Sequence, residues 1–190
     1  MTVRQIIKLN DVNDSILRSP CRKVVFSENG AHILDSLIGD MLDTLLAHPI
    51  CIGLSANQIG IPLCVSIINV NRLSDDNITL INPEIIQSSG SKDLKYESCM
   101  SVPHARGLVE MRKKLTVTYQ MNTGQQARQI FTGFLGRVVR HEIDHLNGVI
   151  YTDRVLPNSP VESSSAFDYE SVTAVSYSES EVAHLTSRLS

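Results

Sequence analysis

The run His141-Glu142-Ile143-Asp144-His145 limits what this chain can fold into more than any other stretch. On an α-helix, positions four apart lie one turn above each other on one face, so His141 and His145 can offer two imidazoles to one cation. Glu142, the next residue along, then sits beside that cation, where its carboxylate can take a proton from a water that the metal activates. A fold built on this feature has to turn one face of a helix toward a polar site. The motif is short, and a surface helix carrying charged residues is the competing reading.

A length of 190 residues suits one domain with its own core. The 42% apolar and 19% charged fractions and a net charge of −3 are those of an ordinary globular protein, without the basic excess of a nucleic-acid binder. No apolar run approaches the roughly 18 residues of a membrane span. The first ten residues lack the apolar core of a signal peptide, and the expected location is the cytoplasm. Cys21, Cys51, Cys64 and Cys99 form no CxxC pair. They are expected to be free thiols, with any special one committed to a metal or to catalysis.

Ala31 to His48 places Ile33, Leu34, Leu37, Ile38, Met41, Leu42, Leu45 and Leu46 on one stripe, with Asp35, Asp40 and Asp43 off it, and so predicts an amphipathic helix. Leu63–Val70 and Ile78–Ile81 read as short strands flanked by Asn, Asp and Pro. Leu115–Tyr119 alternates and then meets Asn122-Thr123-Gly124, which predicts a hairpin returning through Ala127–Phe131. A second helix is expected from about Gly133 to Asn147, ended by Gly148, with a brief strand at Val149–Tyr151. The fold class expected is therefore α+β: small mixed or antiparallel sheets packed around a central HExxH helix, with an amphipathic helix N-terminal to it. Residues 1–157 form the expected catalytic domain. Residues 158–190 are serine-rich and acidic and read as a loosely held tail, in which Ser178 and Glu181 offer a capping box for a short closing helix.

Two histidines leave a tetrahedral metal short of one protein ligand. The downstream acids Asp153, Glu162, Glu170, Glu179 and Glu181 lie mostly in the tail, a poor place for a rigid ligand. A zinc endopeptidase would recruit one of them, Glu162 or Glu170 being the natural choices. Cys99, in Tyr96-Glu97-Ser98-Cys99-Met100-Ser101-Val102-Pro103, is the better candidate, because a thiolate is a strong ligand for a borderline divalent metal.

Three blocks then follow in order: Cys51-Ile52-Gly53-Leu54-Ser55-Ala56-Asn57-Gln58, Glu97-Ser98-Cys99-Met100-Ser101, and HEIDHLNG from His141 to Gly148. INPEI at Ile81–Ile85, Arg106-Gly107 and YTDR after the last block accompany them. On these residues the chain resembles the peptide deformylases, whose blocks read Gly-Φ-Gly-Φ-Ala-Ala-x-Gln, Glu-Gly-Cys-Leu-Ser and HEIDHLNG. The resemblance spans roughly residues 5 to 157. It implies one divalent metal per chain held by Cys99, His141 and His145, natively Fe(II), with Ni(II), Co(II) or Zn(II) accepted. It implies Glu142 as general base and then acid, with the Gln58 side chain and the Met100 N–H as oxyanion donors. The implied substrate is the formyl-methionine end of a nascent peptide, cleaved to formate and a free amine.

Phe134 and Val138 precede His141 on the same helix face and are candidates for the apolar wall that takes the methionine side chain. Ile52, Gly53 and Leu54 are expected to present backbone to the peptide as an added strand. Arg106 is expected to position the peptide, as its family counterpart does. Ribosome proximity follows from the substrate, but the acidic tail argues against docking on ribosomal RNA. The protein is expected to be a monomer without nucleic-acid or membrane partners. Cys51, Ser55, Ser98 and Met100 depart from the family pattern, where Gly, Ala, Gly and Leu stand. A catalytically weak or silent binding homologue is the alternative these departures raise.

Overall fold

The stripe on Ala31–Ala47 folds as helix α1 and buries Leu34, Leu37, Met41 and Leu45. In the computed structural model, which describes residues 2–27, 30–73, 76–163 and 174–189, this helix packs on one side of an antiparallel sheet. The sheet runs β1 (Gly53–Ser55), β2 (Val65–Ile68), β3 (Ile78–Cys99), β4 (Val102–Gln120) and β5 (Gln126–Thr132) in spatial order, and the two-residue β6 (Glu162–Ser163) pairs with β4. Helix α2 (Gly133–Leu146) follows β5, and helix α3 (Glu179–Leu189) closes the chain. The architecture is helices on an antiparallel sheet, an α+β fold. Among the described residues no helix is long and apolar enough to cross a membrane.

Two apolar cores flank the site. One joins α1 to Leu54, Ile59, Ile67 and, from α3, Leu185 and Leu189. The other sets Val138, Val139 and Ile143 of α2 against Leu80, Leu115, Val117 and Phe131 of the sheet. Helix α2 is thus buried along most of its length, which removes its polar side chains from bulk water. Its end is forced by Gly148, at φ 74°, where an added Cβ would meet the Arg18 carbonyl oxygen at 2.6 Å.

The structure departs from the sequence reading in three places. Val149–Tyr151 is no strand; the chain turns there into a 3₁₀ helix over Tyr151–Arg154. It is held by Arg154, whose guanidinium donates to both oxygens of Asp144 at 2.8 and 2.7 Å. Ile78–Ile81 is only the start of β3, which pairs with β4 as one long hairpin turning at Met100 and Ser101. Its outer half, around Lys92 and Lys95, is largely exposed, and the brief alternation Asp93-Leu94-Lys95-Tyr96-Glu97 leaves Leu94 and Tyr96 exposed instead of in a core. The tail is not loose over residues 174–189. Val175 bridges to Arg4, the Arg4 guanidinium lies 3.7 Å over the Tyr177 ring, and Leu185 and Leu189 enter the first core. The capping box forms, with the Ser178 N–H donating to Glu181 at 2.7 Å and the Glu181 N–H donating to Ser178 Oγ at 3.3 Å.

Candidate metal centre and active site

The turn after β3, the 3₁₀ helix after β1 and the inward face of α2 meet at a cavity of about 220 Å³. Cys99 closes β3, and His141, Glu142 and His145 come from successive turns of α2. The ligand atoms of Cys99, His141 and His145 all lie within 4.8 Å of one another, and Cys99 Sγ is 3.1 Å from His145 Nε2. Burial opposes a charged thiol at Cys99. The two imidazoles against the sulfur outweigh burial and hold its pKa well below the usual thiol value. Burial likewise opposes an imidazolium at His141, but the Cys99 sulfur and the Glu97 carboxylate raise its pKa well above the ordinary value. A thiolate and two imidazoles facing one point form a donor set suited to a borderline divalent cation.

Glu97 carries this set further than sequence reasoning reached. Its Oε2 lies 3.2 Å from His141 Nδ1, and its Oε1 takes a hydrogen bond of 2.5 Å from Arg137. Arg137 also donates to the main-chain oxygens of Val109 and Asp93, each at 3.1 Å. An imidazole oriented through its second nitrogen by a buried carboxylate is the arrangement that fixes the tautomer of a metal-binding histidine. The signal was there in the sequence: Arg137 stands four residues before His141, on the same helix face.

Glu142 is 3% exposed, and burial is the first cause of a pKa above the usual carboxyl value. Its Oε2 accepts from Ser55 Oγ at 2.8 Å. Its Oε1 lies so close to Gly53 that a Cβ there would stand at 2.5 Å. Gln58 is buried with its Oε1 accepting from the Ser55 N–H at 2.9 Å, which turns its Nε2 to within 3.1 Å of Ser101 Oγ and 3.6 Å of Cys99 Sγ. Met100 is buried on the same cavity wall.

Ile52, Gly53, Phe134 and Val138 line the cavity as well, with Phe134 61% exposed at its mouth. Leu54 differs: its side chain is fully buried in the first core, and only its backbone belongs to β1. β1 ends the sheet's path, with β2 as its strand partner. Arg106 lies beside the mouth, stacked 4.3 Å over the ring of Tyr96, which does line the cavity. Glu162 accepts from Arg106 at 2.9 Å and from the Tyr96 hydroxyl at 2.7 Å. Its carboxylate is therefore committed at the surface and does not complete the histidine site, contrary to the endopeptidase reading. Glu170 lies outside the described residues.

The sequence profile of the Polypeptide deformylase family matches residues 4–160. The peptide deformylase of Chloroflexus aurantiacus is 34% identical over 171 residues, covering 82% of this chain and 88% of that protein. That of Halothermothrix orenii is 36% identical over 151 residues, covering 80% and 94%. Among solved structures, the crystal structure of the Thermotoga maritima peptide deformylase superposes with a TM-score of 0.73 at 30% identity, covering 83% of this chain and all of that one. The Legionella pneumophila enzyme gives 0.73 at 34% identity, covering 82% and 88%.

Proposed function

The chain belongs to the peptide deformylase family and is a hydrolase that removes the N-formyl group from nascent peptides; we propose that Cys99, His141 and His145 hold its metal and that Glu142 moves the proton. The observation that carries this assignment is the thiolate and two imidazoles gathered within 4.8 Å at a cavity that Glu142 also lines. A divalent cation held by that set would polarise the formyl carbonyl and lower the pKa of water.

The chain's own side chains supply the rest. Glu142, buried and raised in pKa, is poised to accept a proton from the attacking water and return it to the leaving nitrogen. Gln58, whose Oε1 accepts from the Ser55 N–H, offers its Nε2 as a donor for the developing oxyanion, with the Met100 N–H as its partner. Phe134 and Val138 receive the methionine side chain. Ile52, Gly53 and the β1 backbone take the peptide as an added strand, for which the terminal position of β1 in the sheet leaves an edge. Arg106 and Tyr96 bound the exit of the peptide. Fe(II) as the native metal, with Ni(II), Co(II) or Zn(II) as substitutes, is the choice the family resemblance implies, and a thiolate with two imidazoles is compatible with it. We propose that the chain works as a monomer in the cytoplasm, near the ribosome from which its substrate emerges.

The test is formate release from a formyl-Met tripeptide by protein loaded anaerobically with Fe(II) or nickel. Turnover that stops on chelation and returns with metal is the expected result. One bound metal per chain without formate release would sink the assignment in favour of a silent binding homologue. Gly53→Ala gives a second check. Its Cβ would stand 2.5 Å from Glu142 Oε1 and 3.0 Å from Val138 Cγ1, so the carboxylate has to move. A misplaced catalytic group of this kind is expected to lower kcat about 100-fold, read in the same assay at unchanged metal content.

A further inference from the structure

Ser55 stands where the first block of the family pattern has alanine, and it is fully buried beneath Glu142. Antiparallel register places it directly opposite Ser66 of β2, so the two side chains share one face of the sheet. Ser55 Oγ lies 2.7 Å from Ser66 Oγ, 2.8 Å from Glu142 Oε2 and 3.0 Å from the main-chain oxygen of Glu142. A hydroxyl has one proton to give. If Ser66 donates to Ser55, the Ser55 proton goes to Glu142, where a carboxylate oxygen is a stronger acceptor than a carbonyl. Oε2 is then tied to Ser55, and Oε1 is left against Gly53, which lines the cavity as Glu142 does. The same residue turns Gln58 through its backbone N–H.

We propose that Ser55 is a positioning residue that fixes the carboxylate of Glu142 with one oxygen presented to the substrate, and that Ser66 sets the direction of its hydroxyl. The proposal rests on Glu142 as the proton carrier. It assigns a purpose to one of the chain's departures from the family pattern: a base held by a hydroxyl pair where the pattern provides a methyl group.

The experiment compares the nickel-loaded parent with Ser55→Ala, Ser66→Ala and the double variant in formate release. Crystal structures of the parent and Ser55→Ala accompany the kinetics. Ser55→Ala is expected to lower kcat about tenfold, the effect of losing a hydrogen bond to a charged group, with KM and metal content unchanged. Ser66→Ala is expected to lower kcat less, and the double variant no further than Ser55→Ala, because Ser66 acts only through its neighbour. In the Ser55→Ala crystal structure the Glu142 carboxylate is expected to leave its parent position. Parent-like kcat with an unmoved carboxylate overturns the proposal. So does a double variant whose losses add, or a change confined to KM and thermal stability, since ordinary packing would produce those. If the parent itself releases no formate, the deformylase assignment is what fails, and the carboxylate position in the two crystal structures still decides the role of Ser55.

Discussion

Glu142→Gln, carrying the same metal as the parent, is expected to lose formate release by about 10²- to 10⁴-fold in kcat, the range that a positioned general acid–base supplies. The substitution keeps the volume of the side chain and an oxygen that can still accept from Ser55 Oγ, now at 2.8 Å from Oε2. What it removes is the ability to take a proton. The metal donors are Cys99, His141 and His145, so metal content is expected to stay at one per chain. KM should move little, because the amide is not needed to hold the methionine end. The measurement is kcat and KM for a formyl-Met tripeptide alongside metal analysis on the same sample. Retention of parental kcat would transfer the proton to another group. Loss of metal together with activity would show that Glu142 acts on the donor set instead.

That proton carrier was legible in the sequence because helix geometry is local. A spacing of four residues puts His141 and His145 on one face whatever surrounds them, and Glu142 comes with them. Cys99 was readable as a candidate from its chemistry, and the family resemblance gathered Gln58 and Met100 beside it. Contacts that depend on tertiary pairing were not legible. Local pattern says little of how far β3 runs toward Cys99, since its outer half is largely exposed, Leu94 and Tyr96 included, and is paired by register against β4. The position of Ser55 under Glu142 needs the β1–β2 pairing and the approach of α2 together. Composition made the tail read as loose. The two leucines that dock α3, Leu185 and Leu189, are a small minority of its residues, and their partners lie on α1 far back in the chain.

Arg137→Ala is expected to be the most destabilising single change at the site, on the order of 3–5 kcal/mol at neutral pH, because it strands a buried carboxylate. The Arg137 and Glu97 side chains are 7% and 9% exposed, and their ion pair spans 2.5 Å. Without the guanidinium, Glu97 keeps only His141 among the partners described for its carboxylate, and the carbonyls of Val109 and Asp93 lose their donor. For a domain of this size the loss corresponds to a fall in Tm on the order of 10 °C. The pH dependence identifies the cause. Burial raises the carboxyl pKa of Glu97, but His141 and Arg137 together outweigh it and hold the group below its ordinary value. A depressed carboxyl stabilises the fold above its unfolded pKa, and that contribution is lost as pH falls through the folded value. In Arg137→Ala the carboxyl pKa rises, so the variant's deficit is expected to be full at pH 7, to have shrunk by about pH 4, and to vanish only below the parent's depressed value, where Glu97 is protonated in both folded proteins. Urea unfolding of the metal-free proteins at the two pH values measures it. A deficit under about 1 kcal/mol at pH 7 would place Glu97 in effective contact with solvent. His141 would then owe its orientation to the metal alone, and not to the chain Arg137–Glu97–His141.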